Sequence, residues 1–307
     1  MALHTATRQT PRLPRYHRAL SYPPVTIGRP KKLILEAIGH FHYLTAPQLT
    51  ALLFHPGSLT YVQRHCKELF HAGYLRRVYL PKITPLGSSK AIYALDNPGY
   101  RYLRSLGLAP EGRFRPSEQA RREYLYLEHT LCANDFLILA HRLARESAGI
   151  VISDMKTERE LKRRASWVQD GKERLYVVPD GWLDLHVSGS HRACFALELD
   201  RGSVAREAFQ KKIRGLIRYA GGPYQEAFGT ESLTVLFVTT AGQERLGEML
   251  RWTGETITAT NAEDQADLLR FAAFRPDQIE PAQAFLAPIW SRPFGSGGLA
   301  LIPDPGG

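Results

Sequence analysis

The segment between residues 31 and 95 carries helix and turn signals in such close succession that few folds can accommodate them. In KKLILEAIGHF (31–41), the apolar residues recur on one helical face. In LTAPQLTALLF (44–54), Thr45 and Gln48 form a capping box, and Pro47 lies in the first turn, where a missing N–H costs nothing. SLTYVQRHCKELFHAGYL (58–75) follows as a third helix that ends near Gly73. The pattern therefore predicts three short helices in a compact cluster.

The third predicted helix has two chemically different faces. Its inward face is apolar and consists of Val62, Cys66, Leu69 and Phe70. Its outward face recurs at steps of 4, 3 and 4 residues and consists of Thr60, Arg64, Lys67 and His71. Hydroxyl and cationic groups on one exposed face suit a recognition helix, because such groups reach base edges and phosphates in a major groove.

Two predicted strands and a closing helix complete this module. The strands are YLRRVYL (74–80) and KAIYAL (90–95), joined by PKITPLGSS, and the helix is PGYRYLRSLG. The order predicts a winged helix-turn-helix domain over residues 28–107, with double-stranded DNA as its partner. The wing adds four cationic candidates for DNA contact: Arg76, Arg77, Lys82 and Lys90. The alternative is a winged helix that binds protein.

The charge is divided unevenly along the chain. Residues 1–125 hold 19 Lys and Arg against 6 Asp and Glu, whereas the remaining residues hold 21 against 24. This division is typical of a polyanion-binding module joined to a different domain, although a solvated basic surface without a partner gives the same counts. Residues 1–27 contain four arginines, four prolines and no acidic residue, which predicts a flexible basic arm.

Several classes of protein are excluded by what the sequence lacks. No apolar run approaches the length of a membrane span, and the N-terminus has no apolar core of a secretory signal. No phosphate-binding GxxxxGK[ST] loop is present. The three cysteines (Cys66, Cys132 and Cys194) have no partner at metal-ligand spacing. We therefore expect a cytoplasmic protein without a membrane contact, with core thiols in a reducing compartment.

The second half of the chain alternates helices and strands. After a linker at 108–117, a helix is predicted over 117–145, strands over 150–154, 174–187, 193–200 and 233–239, and helices over 203–220 and from 242. This order predicts an α/β domain over residues 117–275, so the whole chain is expected to be α+β. Residues 276–307 are rich in proline and glycine, and we expect a loosely ordered tail.

Acidic residues interrupt the predicted strands of this domain. Asp180 follows Pro179 inside VVPDGWLDL, and Glu198 and Asp200 are two apart in FALELDRG, so both point to one face. Strand pairing would bring Asp180 close to them. Carboxylates gathered at a sheet end either repel one another or hold a divalent cation such as Mg²⁺. The candidate metal ligands are therefore Asp180, Glu198 and Asp200.

A lysine on the next predicted helix adds to this cluster. Lys212 lies between Phe209 and Leu216 on the face directed at the sheet. A lysine there could stabilise charge on a phosphate during hydrolysis, which makes Lys212 the fourth candidate catalytic residue beside the three carboxylates. Alternatively, it pairs with Glu198 or Asp200 and only holds the helix on the sheet.

These residues resemble the core of the PD-(D/E)xK nucleases. The match consists of PD at 179–180, ELD at 198–200 and the helical Lys212. The third motif position, a lysine in that superfamily, is Asp200 here, and a lysine displaced to the following helix is a known variation. The resemblance implies a nuclease-like fold and, if the site is active, an Mg²⁺-dependent endonuclease.

The whole layout resembles the replication-relaxation family of plasmids, conjugative elements and phages. The resemblance covers about residues 30–240 and is carried by LTAPQLTALLF and AGYLRR, followed by EHTLCANDF (128–136), VVPDGWLDL and LELDRGSVAREAFQKKIRGLIRY (197–219). It implies DNA binding in the replication or mobilisation of an element, with replication or mobilisation proteins as partners. In EHTL, Glu128 and His129 either border the acidic site or are ordinary helix residues.

Three functions are compatible with these patterns. The first is a DNA-binding accessory factor of a mobile element whose C-terminal domain is a nuclease-like scaffold. The second is a metal-dependent endonuclease or nickase targeted by the winged helix, and the third is an assembly factor that binds proteins. The basic arm and wing favour the first two over the third. Asp200 in place of the motif lysine places binding ahead of cleavage.

Overall fold

The computed structural model describes residues 14–80, 90–110, 112, 114–116, 123–188 and 191–303, without the side chain of Arg164. The chain divides into two compact units, Met1–Arg122 and Glu123–Gly307. Both units combine helices with a β-sheet, so the predicted α+β class is confirmed. The first thirteen residues of the predicted arm, and the loop 81–89 with Lys82, lie outside the described residues.

The first unit consists of short helices around a small antiparallel sheet. The sheet has the order β1-β3-β2, and β2 pairs with β3 from Leu75↔Leu95 to Tyr79↔Ala91. Its elements are α1 (Arg29–Phe41), β1 (Leu44–Thr45), α2 (Ala46–Leu53), α3 (Leu59–His71), β2 (Leu75–Tyr79), β3 (Ala91–Leu95) and α4 (Asn97–Ser105). Helices and strands therefore follow one another in the predicted order.

Local signals explain where these helices begin and end. Thr45 caps α2 by accepting a hydrogen bond from the Gln48 backbone N–H, and the Gln48 side chain accepts one from the Thr45 backbone N–H, so the predicted capping box is present. Behind α3, Gly73 has a φ of +85°, a left-handed conformation that ends the helix and turns the chain into β2. The four predicted core residues of α3 are buried: Val62, Cys66, Leu69 and Phe70.

The described part of the predicted arm is held against this unit by specific contacts. Arg18 donates hydrogen bonds to the carbonyl oxygens of Phe70 and Leu75, and its guanidinium lies 2.5 Å from the carboxylate of Asp96. The Tyr16 ring packs edge-on against Tyr79. The expectation of a free arm is therefore wrong from about residue 15 onward, because the arginine finds buried acceptors within the unit instead of remaining in solvent.

The second unit is built on a five-stranded mixed sheet with the order β10-β9-β8-β7-β4. Strands β4, β7 and β8 pair antiparallel, and β8, β9 and β10 pair parallel. The unit contains α5 (Tyr124–Glu146), β4 (Ile150–Thr157), α6 (Glu158–Leu161), β5 (Ser166–Asp170), β6 (Glu173–Val177), β7 (Gly181–Val187), β8 (His191–Asp200), α7 (Arg206–Ala220), α8 (Pro223–Phe228), β9 (Thr234–Thr239), α9 (Gln243–Ala259), β10 (Leu269–Ala273) and α10 (Pro281–Phe285).

Helices α7 and α9 connect the parallel strands, as parallel pairing requires. Phe209, Ile213 and Leu216 of α7 are buried in one cluster with Trp182, Val235 and Phe237 from the sheet. Helix α5 also packs on the sheet. A Cβ atom added to Gly181 of β7 would lie only 3.1 Å from the Leu137 side chain of α5. No helix among the described residues is both long enough and apolar enough to cross a bilayer.

Two sequence expectations for this unit are wrong. The predicted strand 174–187 is two strands, since the chain leaves the ladder at Val178 and Pro179, and β6 pairs instead with the unpredicted β5. Pro179 has no N–H to donate to a ladder, which accounts for the break. The predicted loose tail is also packed: Phe285, Trp290 and Ile302 are buried, and Trp290 pairs with Leu299 in a β-bridge.

Candidate functional site

The exposed face of α3 carries three of its four predicted contact residues. Thr60, Arg64 and Lys67 are exposed. His71, predicted on the same face, is buried, and this assignment is wrong. Its Nδ1 accepts a hydrogen bond of 3.1 Å from the Ala19 backbone N–H, and the Tyr22 ring stacks on its imidazole. The segment that follows Pro14 thus covers the last turn of α3.

The basic residues of the β2–β3 hairpin differ in their surroundings. Arg76 lies 3.1 Å from the Asp96 carboxylate, and the Arg77 guanidinium stacks 4.2 Å from the centre of the Phe70 ring. Arg77 also donates a hydrogen bond to the Arg15 carbonyl oxygen. Lys90 is exposed at the start of β3. Two of the predicted contact residues therefore have partners within the unit.

The carboxylates of the described part of this unit are all neutralised by cations outside α3. Glu36 pairs with Lys32, and Glu68 pairs with Lys31. Asp96 pairs with Arg18 and Arg76, whose charges outweigh its burial and hold the pKa of Asp96 below its ordinary value. Within the described residues, Arg64 and Lys67 form no ion pair, so α3 presents uncompensated positive charge.

In the second unit, three carboxylates lie where β8 ends and β7 begins; we call Asp180, Glu198 and Asp200 the acidic cluster. All three are buried. The backbone N–H of Asp180 donates to the Leu197 carbonyl oxygen, and its Oδ2 accepts a 2.8 Å hydrogen bond from the Leu199 backbone N–H. Asp180 therefore extends the β7–β8 pairing by one residue.

The second oxygen of Asp180 binds a histidine of α5. His129 Nε2 lies 2.9 Å from Asp180 Oδ1. Burial lowers the pKa of His129, but the hydrogen bond and charge of Asp180, together with the charge of Glu158, raise it above its ordinary value. Burial raises the pKa of Asp180, but the hydrogen bond and charge of His129 outweigh the effect of burial. The pKa of Asp180 is therefore below its ordinary value. The pair is a buried carboxylate in contact with an imidazole whose pKa it raises.

Glu198 is held by the predicted lysine. Lys212 Nζ lies 2.5 Å from Glu198 Oε2, and the lysine stem stays partly in solvent, with 40% of the side chain exposed. Burial and the charge of Asp180 together raise the pKa of Glu198 to about 7, against the opposing charge of Lys212. Glu198 and Asp180 in turn raise the pKa of Lys212 although burial lowers it. The structure thus brings Lys212, Glu198 and Asp180 into one electrostatic group.

Asp200 is engaged by a different set of donors. Arg245 of α9 binds it with both Nε and Nη2, at 3.0 and 2.9 Å. Thr239 Oγ1 and the Gly202 backbone N–H also donate to Oδ2. Gly202 has a φ of +82°, which turns its N–H back toward the carboxylate. Four hydrogen bonds therefore fix Asp200 as an anchor between β8, β9 and α9.

The neighbouring residues of the cluster were predictable to unequal degrees. His129 stands in the EHTL segment, where the sequence alone favours an ordinary core histidine over a site residue. Glu128, beside it, pairs with Arg201 and accepts a hydrogen bond from the Tyr124 hydroxyl, so it is not a member of the acidic cluster. Arg245 was missed because an arginine on a helix is usually solvated and its partner lies 45 residues earlier.

An Mg²⁺ ion in this cluster would need carboxylate oxygens that are free to coordinate it. The residues do not fit such a centre as they are arranged, because His129, Lys212 and Arg245 each neutralise one carboxylate. Within the described residues, no group of three or more His, Cys, Asp or Glu side chains is placed to hold a metal ion. The three predicted metal ligands are therefore each bound to a different basic side chain.

The fold and the cluster define an α+β protein with a mixed sheet and, where β8 ends and β7 begins, a buried acidic cluster neutralised by basic side chains. Comparison with known families places it more closely: a model described as replication-relaxation matches residues 35–234, from α1 to the first residue of β9. The chain therefore belongs to the replication-relaxation family, as its sequence layout predicted. No curated protein and no solved structure matches the chain.

Proposed function

We propose that this protein is a DNA-binding factor acting in the replication, relaxation or mobilisation of a plasmid or other mobile element. Residues 28–107 form its winged helix-turn-helix domain, with α3 as recognition helix and the β2–β3 hairpin as wing. The observation that carries the proposal is the uncompensated charge of Arg64 and Lys67 on the exposed face of α3. Membership of the replication-relaxation family supports it.

The arrangement of charge supports a duplex partner in particular. A helix that follows a short helix and a tight turn, and exposes cations beside a hydroxyl, fits the width of a major groove. Lys90 adds exposed positive charge at the hairpin. Unpaired lysines also favour DNA over a protein partner, since lysine is depleted at protein interfaces.

Replacing Arg64 and Lys67 together with alanine is expected to weaken duplex binding by about tenfold and to lower its salt dependence, by about one unit of slope for each phosphate that the variant no longer neutralises. The physical reason is that fewer counterions are released when two cations are missing. Fluorescence anisotropy of a labelled duplex, titrated at several salt concentrations, measures both quantities.

The matched control removes the same charge from another helix. Arg101 and Arg104 are exposed on α4, so Arg101→Ala/Arg104→Ala changes the net charge equally. We expect this variant to bind duplex nearly as tightly as the parent protein. Equal losses of affinity in the two double variants would contradict the assignment of α3 as the recognition helix, because they would reflect net charge alone.

A metal-dependent endonuclease or nickase is the second candidate. It is favoured by the grouping of Lys212, Glu198 and Asp180 where β8 ends and β7 begins, the arrangement that the nuclease resemblance implies. The engagement of Asp200 by Arg245, and of the other two carboxylates by His129 and Lys212, favours a scaffold instead. Binding without cleavage therefore stays the first proposal.

Supercoiled plasmid incubated with the protein separates the two candidates. With Mg²⁺, Mn²⁺ or EDTA, we expect retarded but intact plasmid in all three conditions, and the same for Asp180→Ala. The reason is that the acidic cluster is already neutralised by protein cations. Agarose electrophoresis reads the result, and nicking that needs metal and disappears in Asp180→Ala would establish the second candidate instead.

A further inference from the structure

The β5–β6 hairpin has an outward face of unusual composition. Successive side chains of a strand alternate between faces, so Val168 and Leu175, which are buried, mark the inward face. Four residues share the opposite face: Trp167, Gln169, Arg174 and Tyr176. Trp167 pairs directly with Tyr176 across the strands, and Gln169 with Arg174. The outward face therefore contains two aromatic rings, an amide and a guanidinium.

The aromatic rings of this face are open to solvent. Trp167 is 53% exposed and Tyr176 50% exposed, and their ring centres lie 4.9 Å apart. The chain has four tryptophans, and the other three (Trp182, Trp252 and Trp290) are buried. A half-exposed tryptophan beside a half-exposed tyrosine forms an amphipathic surface patch. Packing within the unit does not explain why both rings are exposed.

The charges of the hairpin are separated by face. Its two carboxylates are on the inward face: Asp170 pairs with Arg214, and Glu173 pairs with Lys211, both from α7. On the outward face the Arg174 guanidinium lies 5.2 Å from the Trp167 ring centre, and Lys172 is exposed in the turn. The rings are therefore flanked by positive charge and by no carboxylate of the hairpin.

We propose that the outward face of the β5–β6 hairpin binds single-stranded DNA by stacking bases on Trp167 and Tyr176. Flat exposed rings accept any base, while Arg174 and Lys172 meet the phosphates. The two rings could bind a protein partner equally well, but the absence of hairpin carboxylates from this face favours a polyanion. The inference goes beyond the duplex contact proposed for α3, since it concerns the second unit and an unpaired strand.

A cavity of the second unit lies beside the hairpin. Tyr176 lines a cavity of about 230 Å³ together with Val178, Glu198, Lys211 and Lys212. The proposed single-strand surface therefore lies beside Glu198, a member of the acidic cluster within the second unit.

Tryptophan fluorescence tests the proposal directly, because Trp167 is the solvent-exposed fluorophore among the four. We titrate the full-length protein with an oligo(dT) of about ten nucleotides, within the range that one such surface covers. We expect the emission to be quenched on binding, and an abasic oligonucleotide of the same length to quench far less. Equal quenching by the two oligonucleotides would overturn base stacking, and no response to either would overturn the proposal in favour of a protein surface.

Affinity is measured separately with a labelled oligo(dT) by anisotropy. Trp167→Val and Tyr176→Val are each expected to weaken binding at least about fivefold, and valine keeps the preference for a strand. Phe294→Val is the control, since Phe294 is equally exposed in the same unit. Circular dichroism verifies that the variants fold. A loss of affinity in the control as large as in the hairpin variants would overturn the proposal.

The two proposals fail independently. Arg64→Ala/Lys67→Ala is expected to lose duplex affinity and to keep the oligo(dT) response, because its changes lie in the first unit. Tyr176→Val is expected to lose oligo(dT) affinity and to keep duplex affinity. If either of these variants lowers the duplex affinity and the oligo(dT) affinity equally, a separate single-strand surface on the hairpin is ruled out.

Discussion

An Arg245→Met variant is expected to lose about 3–5 kcal/mol of the free energy of unfolding of the second unit, the cost of leaving a buried charge without its partner. Arg245 and Asp200 are both nearly inaccessible, with 9% and 5% of their side chains exposed. Methionine keeps much of the volume of the arginine stem but offers no donor. The loss is measured by urea denaturation followed by far-UV circular dichroism, because Arg245 also lies over the Trp252 ring and alters its fluorescence.

A surface ion pair that also involves helix α9 serves as the control. Arg206 of α7 lies 2.6 Å from Glu255 of α9, with 57% and 39% of their side chains exposed. Arg206→Met should cost less than about 1 kcal/mol, because water screens exposed pairs. If Arg245→Met costs no more than Arg206→Met, Asp200 does not depend on Arg245, and its carboxylate would be free for another role such as metal binding.

The two halves of the fold were predictable to different degrees. The first unit follows local signals: the Thr45–Gln48 capping box, the apolar face of α3 and the two short strands each act within a few residues. Strand β5 was missed, and β6 was predicted only as the start of a longer strand, because this hairpin is held by contacts to α7 rather than by a long alternating pattern. Burial of Trp290 in the predicted tail likewise depends on distant partners.

The candidate sites show the same division between local and long-range information. Helical spacing correctly placed Thr60, Arg64 and Lys67 on an exposed face, but it could not anticipate that the chain before α1 covers His71. The pairing of Lys212 with Glu198 was one of two alternatives, and strand alternation could suggest it. The partners of Asp180 and Asp200 come from α5 and α9, and only the three-dimensional packing selects them.

Neutralisation of the acidic cluster bears on how the second unit acts. Three buried carboxylates without counter-charges would repel one another, and a bound divalent cation is one way to relieve that repulsion. Here His129, Lys212 and Arg245 relieve it with protein charges. The unit is therefore expected to fold without metal. A nucleic-acid-binding scaffold must be able to do so, whereas a metal-dependent enzyme need not.

The His129–Asp180 pair should make the stability of the second unit depend on pH. Because the folded pKa of His129 is raised above 6.5, its stabilisation is fully present below about that pH and is lost as the pH rises through the folded pKa. Because the folded pKa of Asp180 is depressed below 3.8, its stabilisation is present above that value and is lost as the pH falls. The pair therefore stabilises most between these two limits.

His129→Gln isolates the charge, since glutamine retains an N–H donor but bears no proton that can titrate. We expect the variant to be less stable than the parent protein by about 1.5–3 kcal/mol at a pH between 5 and 6, the usual value of a hydrogen bond to a charged group. The difference should shrink steadily as the pH rises toward 9. His186→Gln is the control, because His186 lies 3.8 Å from Asp184, which Arg192 already binds. Urea denaturation at a series of pH values gives the difference, and one that stays constant across that range would mean that His129 is neutral and that the pair has no pH-dependent role.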